Sequence, residues 1–319
     1  MPSILLVKTS SLGDVIHNLP VVSDISAKFP DMKIDWAVEE SFAAIPRLHP
    51  AVRRVFPVAL RRWRSSLMSR VTWGELRKFK HDLQSEHYDH VLDTQGLIKS
   101  ALITRLARGQ RCGYAAEAAR EPLAARCYDV TFTIPKNLHA VERNRWLAAA
   151  ALGYILDTPL DYGIRATPLQ ADWLPAAPYV VLLTATSRAD KLWPEPYWLT
   201  LAAELNARGL YCVLPAGSEI ERKRVAKLAG AMKRAVVAPP MQLDTLAALL
   251  AGAQAVIGVD TGLTHLAAAL QVPVAALFCG SDPQLTGVHA GVNAINLGGI
   301  GEEPKPVAVL AAIESWLPR

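Results

Sequence analysis

Short apolar runs alternate with stretches of helical periodicity along most of the chain. In the first half the runs have the length of buried strands, and they read SILLVK, KIDWAV, RRVFPV, HVLDTQ and RCGYA. The alternation resumes after a stretch rich in proline and alanine, RATPLQADWLPAAP, with YVVLLTAT, LYCVLPAG, AVIGVD and VAALFC. Strands that alternate with helices predict parallel sheets with right-handed crossovers. The pattern therefore predicts an α/β chain of two doubly wound domains.

The proline-rich stretch is the natural linker between these domains. We place the boundary so that residues 1–168 form the N-terminal domain and residues 169–319 form the C-terminal domain. The last stretch, PKPVAVLAAIESWL, predicts a helix over residues 305–317. This helix follows the C-terminal domain in sequence but could pack back on the N-terminal domain.

The composition indicates a folded chain with a sizeable core. Hydrophobic residues make up 51% of the 319 residues, and the mean hydropathy is +0.18. No run of about 18 apolar residues is present, and the first apolar run is too short for a signal peptide. We therefore expect a cytoplasmic protein that could lie at a membrane surface. The four cysteines form no CxxC pair, which argues against a zinc site or a disulfide framework.

Basic residues are concentrated in one segment. The chain carries 34 basic and 29 acidic residues, a net charge of +5, but between positions 53 and 80 Glu75 is the only acid. Such a segment is either a solvated basic face or a surface for phosphates, on nucleic acid or on lipid headgroups. Nucleic acid is the weaker candidate because the chain has no RNA-binding signature and no zinc-finger spacing. The basic residues are Arg53, Arg54, Arg61, Arg62, Arg64, Arg70, Arg77, Lys78 and Lys80.

The loop after the first strand carries small residues and one carboxylate. Ligands of parallel sheets bind beyond the carboxyl ends of the strands, where loops lead into helices. Here Ser10, Ser11 and Gly13 precede Asp14 at the start of a helix. Asp14 is either an N-cap, which accepts hydrogen bonds from first-turn amides, or a general base that the helix N-terminus keeps ionised. The spacing does not decide between these roles.

A second loop follows the strand YVVLLTAT. It contains Thr186, Ser187 and Lys191. Hydroxyls and one lysine after a strand suit a diphosphate, with Lys191 countering the charge of a leaving group. The alternative is an ordinary surface lysine.

A third loop follows the strand AVIGVD and is the most informative. Asp260, Thr261 and Gly262 lead into an alanine-rich helix that carries His265. Gly262 allows a close approach of the backbone to a ligand, and the helix start offers amides to a phosphate. The alternatives are a capping role for Asp260 and a partly buried structural role for His265.

Several common site types are missing from the sequence. No GxGxxG follows a strand, no HxxxH or carboxylate cluster suggests a catalytic metal, and no GxSxG elbow is present. An anion-binding C-terminal half and a candidate base in the N-terminal half fit group transfer from a nucleotide-activated donor.

These residues lie in motifs that resemble the lipopolysaccharide heptosyltransferases, glycosyltransferase family 9. The resemblance covers nearly the whole chain in collinear order, and its opening loop and VDTG motif favour the enzymes that add the first heptose of the inner core. The matching stretches are VKTSSLGDVIHNLP, DWAVEESFAAIPRLHPAVRRVFPVALRRWR, DTQGLIKSALITRLA, AREPLA, HAVERNR, DKLWPEPYW and GVDTGLTHLAAAL.

The resemblance implies a GT-B fold, in which two Rossmann-like domains face a central cleft. It implies an inverting, metal-independent transfer without a cofactor. The donor would be ADP-L-glycero-β-D-manno-heptose, and the acceptor a Kdo hydroxyl of Kdo2-lipid A. It also implies a peripheral position on the cytoplasmic face of the bacterial inner membrane, where the basic segment would meet an anionic surface. No nucleic-acid partner is expected.

The resemblance also implies roles for individual residues. Asp14 matches the general base, and Lys191 matches the group that stabilises the leaving diphosphate. Ser187 stands where a threonine is common, and the role of Lys99 is left open. Donor-binding positions are Thr186, Ser187, Lys191, Glu221, Met241, Asp260, Thr261, Gly262 and His265. Acceptor-binding positions are Ser10, Ser11, Gly13, Arg61, Arg62, Arg64 and Arg120.

Two rival functions remain at this point. One is an enzyme of the same fold that uses another nucleotide sugar or a later core acceptor. The other is a non-catalytic nucleotide-sugar binder. The second is disfavoured because every matching position keeps a chemically competent side chain.

Overall fold

Each half of the chain is built around a six-stranded parallel sheet. The computed structural model describes residues 1–66, 68–186 and 188–318. The chain divides into two units, Met1–Ile164 and Arg165–Arg319, so the division falls four residues before the boundary expected from the sequence.

The N-terminal unit has the strand order β3-β2-β1-β4-β5-β6, with every pair parallel. Its strands are β1 (Ser3–Val7), β2 (Lys33–Glu39), β3 (Val52–Val58), β4 (His87–Asp93), β5 (Arg108–Tyr114) and β6 (Val130–Phe132). Its helices are α1 (Leu12–Ile16), α2 (Leu19–Lys28), α3 (Ala44–Arg47), α4 (Leu60–Ser65), α5 (Arg70–Leu83), α6 (Ile98–Leu106) and α7 (Ala140–Leu152).

The C-terminal unit repeats this topology, with the order β9-β8-β7-β10-β11-β12 and every pair parallel. Its strands are β7 (Tyr179–Leu183), β8 (Tyr211–Leu214), β9 (Ala235–Val237), β10 (Ala255–Val259), β11 (Val274–Phe278) and β12 (Ala294–Gly298). Its helices are α8 (Glu195–Ala207), α9 (Glu219–Gly230), α10 (Leu243–Ala251), α11 (Gly262–Ala269), α12 (Pro283–Thr286) and α13 (Pro306–Ile313).

Two doubly wound parallel sheets confirm the fold class predicted from the apolar runs. All nine runs form strands, and the central ones, such as β1, β7, β10 and β11, are buried along their whole length. The strands that the pattern did not predict are β6, β9 and β12. They lie at or next to the sheet edges and are only partly buried, so they lack a continuous apolar run.

The final helix packs within its own unit, which differs from the expectation that it could return to the N-terminal domain. Val309 and Ile313 of α13, and Leu317 after it, are buried in the core of the C-terminal unit. This core includes Trp193 and Trp198, whose rings meet edge to face at 4.8 Å. The apolar face of α13 is therefore already satisfied against α8 and β11.

The strand order places one switch point in each unit. In the N-terminal sheet the chain winds one way from β1 and the other way from β4, so the loops after β1 and β4 diverge. The loops after β7 and β10 do the same in the C-terminal sheet. Crevices at such points are the ligand sites of open parallel sheets. Among the described residues, no helix is long and apolar enough to span a bilayer.

Candidate functional site

Asp14 lies in the first turn of α1, directly after the loop that leaves β1. Its Oδ2 accepts hydrogen bonds from the Ser11 amide at 2.8 Å and from the Ser11 hydroxyl at 3.0 Å. Its Oδ1 accepts a hydrogen bond from Arg120 Nη2 at 2.6 Å. Ser11, and not Asp14, is the N-cap, so Asp14 reaches back to the amide that precedes the helix.

Asp14 is held in its ionised form. Burial raises the pKa of its carboxyl, but the nearby cations Lys8 and Arg120 and the Ser11 amide outweigh burial and hold the pKa below its ordinary value. The side chain of Asp14 is 14% exposed, whereas that of Arg120 is 46% exposed. Arg120 can therefore exchange Asp14 for another anion without disturbing the core.

The loop after β4 fixes the loop after β1. Gln95 Oε1 accepts hydrogen bonds from the Thr9 amide at 2.6 Å and the Thr9 hydroxyl at 2.8 Å. Gln95 Nε2 donates to the backbone oxygen of Ser10 at 2.5 Å. Gln95 is itself placed by Asp93, whose Oδ1 accepts a hydrogen bond from the Gln95 amide at 2.7 Å. One buried amide side chain thus joins the two loops of the switch point.

A small cavity of about 20 Å³ opens beside Asp14. Lys8, Arg120 and Arg143 bring three cations to it, against the single carboxylate of Asp14. The Thr94 hydroxyl and Arg143 Nε are buried without a hydrogen-bond partner among the described residues. This surplus of positive charge and of unsatisfied polar atoms suits an anionic, hydroxyl-bearing ligand. The lining residues are Lys8, Asp14, Thr94, Gln95, Tyr114, Arg120, Ala140, Arg143 and Asn144.

The small residues of the first loop lie at this site together with Lys99. Lys99 Nζ donates a hydrogen bond to the Ser10 hydroxyl at 2.6 Å. Burial lowers the pKa of Lys99, while the carboxylates of Glu39 and Asp14 act in the opposite direction. Gly13 is half-buried and lies between Ser11 and Asp14 in the chain. Lys99 thus supports the loop that the sequence assigned to the acceptor.

Part of the predicted basic surface is neutralised by acids from elsewhere in the chain. Arg62 forms ion pairs with Glu40 at 3.0 Å and Glu75 at 2.7 Å. Glu75 also accepts a hydrogen bond from the buried Trp63 at 2.7 Å, so Arg62 fastens α4 to α5. These ion pairs neutralise the charge of Arg62, and its assignment to the acceptor stays a prediction. Arg61 stacks over Phe42 at 5.7 Å.

Arg53 and Arg54 are neutralised in the same way. Both pair with Asp35, whose side chain is fully buried, and with Glu86. These contacts fasten β3 to β2 and leave little charge for a ligand. Five basic residues of the segment are exposed and make no ion pair within the described part of the chain: Arg61, Arg64, Arg70, Arg77 and Lys80.

In the C-terminal unit Asp260 follows β10 and holds three side chains. Its Oδ2 accepts hydrogen bonds from Lys191 Nζ at 2.6 Å and from the Ser281 hydroxyl at 2.6 Å. Its Oδ1 lies 3.6 Å from His265 Nε2. Burial raises the pKa of Asp260, but His265, Lys191 and Ser281 together hold it below its ordinary value. Asp260 is not the cap of α11, because Thr261 is the N-cap.

The hydroxyls of Thr186 and Thr261 lie near Asp260 at the same switch point. Thr186 Oγ1 donates to the backbone oxygen of Asp260 at 3.0 Å and so joins the loops after β7 and β10. Thr261 makes no capping hydrogen bond with its side chain. The amides of Gly262 and Leu263, the first two of α11, have no partner within the helix, whereas the Thr264 amide donates to the Thr261 backbone oxygen at 3.0 Å. Ser187 lies outside the described residues.

A cavity of about 230 Å³ adjoins this cluster. Glu221 enters it from the first turn of α9, and Glu221 Oε2 accepts hydrogen bonds from the amides of Gly217 at 2.8 Å and Ser218 at 3.0 Å. The structure brings four residues predicted to bind the donor to one pocket. Its lining is Leu183, Ala185, Thr186, Pro215, Ala216, Gly217, Glu221, Pro239, Met241, Leu246, Thr261 and Leu263.

Residues at both sites were missed by sequence reasoning. Lys8, Gln95 and Asn144 lie in the matching stretches VKTSSLGDVIHNLP, DTQGLIKSALITRLA and HAVERNR, but no role was assigned to them. Ser281 follows β11, and the position after a strand was the only signal that could have drawn attention to it. Within the described residues, no group of three or more histidine, cysteine, aspartate or glutamate side chains is arranged to hold a metal ion.

Comparison with known proteins gives consistent matches. Residues 76–310 match the family model "Glycosyltransferase family 9 (heptosyltransferase)". The chain is 48% identical over 297 residues to lipopolysaccharide heptosyltransferase 1 of Pseudomonas aeruginosa, covering 92% of this chain and 83% of that protein.

Two solved structures of the E. coli heptosyltransferase WaaC are similar over almost their whole length. Each is 42% identical and covers 98% of this chain and 99% of the other. The structure with ADP has a TM-score of 0.91, and the structure with ADP-2-deoxy-2-fluoro heptose has a TM-score of 0.86.

Proposed function

The chain belongs to glycosyltransferase family 9, the heptosyltransferases, and we propose that it adds the first heptose of the lipopolysaccharide inner core. The fold is GT-B-like, with two Rossmann-like units, and the enzyme is a glycosyltransferase. In the proposed reaction L-glycero-D-manno-heptose moves from ADP-L-glycero-β-D-manno-heptose to a Kdo hydroxyl of Kdo2-lipid A.

The observation that carries the proposal is the pocket beside the Lys191–Asp260 pair at the C-terminal switch point. Met241 and Leu246 offer an apolar wall for a nucleobase, and Glu221 offers a carboxylate for ribose hydroxyls. The free amides at the start of α11 suit a diphosphate. A similar protein has been solved with ADP-2-deoxy-2-fluoro heptose, which supports a nucleotide-heptose donor.

In the proposed step Asp14 accepts the proton of the Kdo hydroxyl. The hydroxyl oxygen forms a bond to the anomeric carbon of the heptose while the bond from that carbon to the diphosphate oxygen breaks. The electron pair leaves with ADP, and Lys191 with the α11 amides offsets the charge that develops on it. Because the attacking and leaving oxygens lie on opposite faces of the sugar, the anomeric configuration inverts. The step uses no metal ion.

The acceptor is proposed to lie against the pocket beside Asp14. Kdo carries a carboxylate, and this pocket presents the guanidinium groups of Arg120 and Arg143. Arg120 would then exchange Asp14 for the Kdo carboxylate as the acceptor binds. This exchange removes one cation from Asp14 and makes Asp14 a stronger base when the hydroxyl is in place.

The outer face of α5 is proposed to rest on the anionic leaflet that contains the acceptor. Arg70, Trp73, Arg77 and Lys80 recur at helical spacing, opposite the buried Phe79. Trp73 is 53% exposed, and Met68 and Val71 nearby are 98% and 68% exposed. Basic residues interleaved with an exposed tryptophan are typical of helices that bind the membrane interface. Each basic residue there contributes about 1 kcal/mol.

Vesicle binding tests this surface. We expect salt-sensitive binding to vesicles with phosphatidylglycerol and much weaker binding to phosphatidylcholine vesicles. Trp73→Ala should weaken binding, whereas Trp146→Ala, at a tryptophan 50% exposed on α7, should not. Equal binding to both vesicle types, or equal loss in both variants, would contradict the assignment.

The reaction is tested by measuring ADP release from ADP-L-glycero-β-D-manno-heptose in EDTA, with and without deacylated Kdo2-lipid A. Acceptor-dependent release in EDTA would support the substrates and the metal independence together. If folded protein binds ADP but releases none with this pair, a later core acceptor or another nucleotide sugar becomes the better assignment. Panels of acceptors and donors would then separate these two rivals.

A further inference from the structure

Lys8 is a buried lysine for which the proposed chemistry has no direct use. It follows β1 and is 4% exposed. Its Nζ donates to the backbone oxygen of Thr94 at 2.8 Å and to Asn144 Oδ1 at 3.3 Å, and both acceptors are neutral. Within the described residues it makes no ion pair in direct contact. A buried ammonium is strongly disfavoured unless an anion lies near, so its presence calls for a reason.

The anion that compensates Lys8 is Asp14, which lines the same pocket. Burial lowers the pKa of Lys8 to about 8, and among the charges around it Asp14 is the strongest that acts against this. In return, Lys8 is the strongest of the cations that lower the pKa of Asp14, ahead of Arg120. The two groups are therefore coupled through space across the pocket.

Lys8 and Arg120 differ in how firmly they are held. The side chain of Arg120 is 46% exposed, and Arg120 reaches Asp14 from a loop. Lys8 is fixed between three elements: the end of β1, the loop after β4 through Thr94, and α7 through Asn144. Asn144 is fixed in turn, because its Nδ2 donates to the backbone oxygen of His17 at 3.1 Å.

We propose that Lys8 is a positioning residue for the transfer reaction: its fixed ammonium keeps the Asp14 carboxylate ionised when Arg120 turns to the acceptor. This inference rests on the proposed role of Asp14 as the base. A base that lost both cations in a buried site would become protonated and could no longer accept the hydroxyl proton. Lys8 prevents this and touches no substrate.

Other charged and titratable groups surround Lys8 and Asp14 and set the background for any titration. Tyr114, Arg120 and Arg143 line the same pocket. Asp93 acts on Lys8 and His17 acts on Asp14 through space, and the His139 ring contacts the His17 ring.

The direct test is a carboxyl-carbon NMR titration of Asp14 in the full chain without substrates. The Asp14 signal is identified by its absence in Asp14→Asn. We expect the pKa of Asp14 to rise by on the order of one pH unit in Lys8→Met and to stay in place in Lys8→Arg. An Asp14 titration that is the same in wild type and in Lys8→Met overturns the proposal. This outcome is independent of the acceptor, so it is distinguishable from a failure of the proposed function.

A reciprocal test does not depend on the folding of Lys8→Met. The pKa of the Lys8 ammonium is followed by lysine side-chain NMR in wild type and in Asp14→Asn. Because coupling between two sites is mutual, removal of the Asp14 charge should lower the pKa of Lys8 below its value of about 8. An unchanged Lys8 titration overturns the coupling.

Kinetics separate a positioning role from simple structural support. In the pH profile of kcat/KM, the acidic limb of Lys8→Met should lie at higher pH than that of wild type. The limb of Lys8→Arg should lie at the wild-type position. Asn144→Ala removes a support of Lys8 but keeps its charge, so it should lower kcat/KM with little movement of the limb. A lower kcat in Lys8→Met with an unmoved limb would assign Lys8 to structural support alone.

Discussion

The two switch points of the molecule share one topology but hold their carboxylates differently. In the N-terminal unit Asp14 lies inside the first turn of α1, and its contacts are a backbone amide, a serine hydroxyl and the half-exposed Arg120. In the C-terminal unit Asp260 precedes its helix and is in direct contact with the largely buried Lys191 and with Ser281. Both carboxyls have a pKa below the ordinary value.

The difference indicates that the same position in one fold supports two kinds of chemistry. Asp260 Oδ2 accepts two short hydrogen bonds, and we infer that Asp260 orients Lys191 towards a ligand. Among the described residues, the only hydrogen-bond partner of Asp14 Oδ1 is Arg120, whose side chain is 46% exposed. Asp14 is therefore suited to accept a proton, and Asp260 to hold a cation.

The strongest test of this contrast is Asp14→Asn. The amide can still accept a hydrogen bond from the Ser11 amide, so the start of α1 should persist, but it cannot take a proton. We expect kcat to fall by about 10³-fold, within the range for loss of a general base, while ADP binds as in wild type. Turnover and ADP titration calorimetry measure the two effects.

The control for this variant is Asp82→Asn, which removes an exposed carboxylate paired with Lys78 in the same unit. It should leave turnover unchanged. Near-normal turnover of Asp14→Asn would refute the assignment of the base and with it the contrast between the two sites.

A second test concerns the free energy of unfolding that is lost because Lys8 is buried at the N-terminal site. Because the pKa of folded Lys8 is about 8 and its ordinary value is 10.5, the unfolded chain binds more protons between these values. The stability of wild type should therefore rise with pH through this window, by about 3 kcal/mol from this group. Lys8→Met lacks that rise.

Urea unfolding of both proteins at pH 7, 8.5 and 10 checks this expectation. The difference between their free energies of unfolding is the relevant quantity, because it cancels the other groups that titrate in the same range. If the free energies of unfolding of the two proteins changed with pH in parallel, burial would not lower the pKa of Lys8. The N-terminal site would then lower the stability of the fold no more than the C-terminal site does.

Sequence patterns predicted the central strands of each sheet and the edge strand β3, but they missed the other three edge strands, β6, β9 and β12. Strands such as β1 and β10 are buried on both faces, so they appear as continuous apolar runs. The edge strand β9 has three partly buried residues, and β12 alternates between partly buried and exposed ones. Their strand character comes from pairing with a neighbour, which local periodicity does not reveal.

The candidate sites divide in a similar way. Asp14, at the helix start after the β1 loop, and Asp260, directly after β10, were predicted as candidates because topology fixes where such positions lie. Lys8 was not, because its burial depends on Thr94 and Asn144, which are 86 and 136 residues away in the chain. The resemblance assigns Arg62 to the acceptor, and the sequence gives no sign that Glu40, 22 residues before it, pairs with it.

A third test changes the C-terminal carboxylate. In Asp260→Asn the charge that holds Lys191 is lost, although an amide oxygen can still accept one hydrogen bond. We expect kcat/KM for the donor to fall by tens of fold, in line with the loss of an orienting partner, while KM for the acceptor is unchanged. Initial rates with each substrate varied separately measure this. A rise in the acceptor KM instead would mean that Asp260 also shapes the acceptor site.

The smallest expected effect comes from Ser281→Ala, which removes one of the two donors to Asp260 Oδ2 and leaves Lys191 in place. A hydrogen bond to a charged group is worth about 1.5 kcal/mol at the lower end of its range, so we expect kcat/KM for the donor to fall by about tenfold. Thr200→Ala, at a hydroxyl that bonds to its own helix in the same unit, is the matched control and should have no effect. If Ser281→Ala reduced activity as strongly as Asp260→Asn, the hydroxyl rather than the carboxylate would be what aims Lys191. The C-terminal site would then depend on a hydrogen-bond network and not on a single ion pair. In that case Asp260 would not differ from Asp14 by holding a cation.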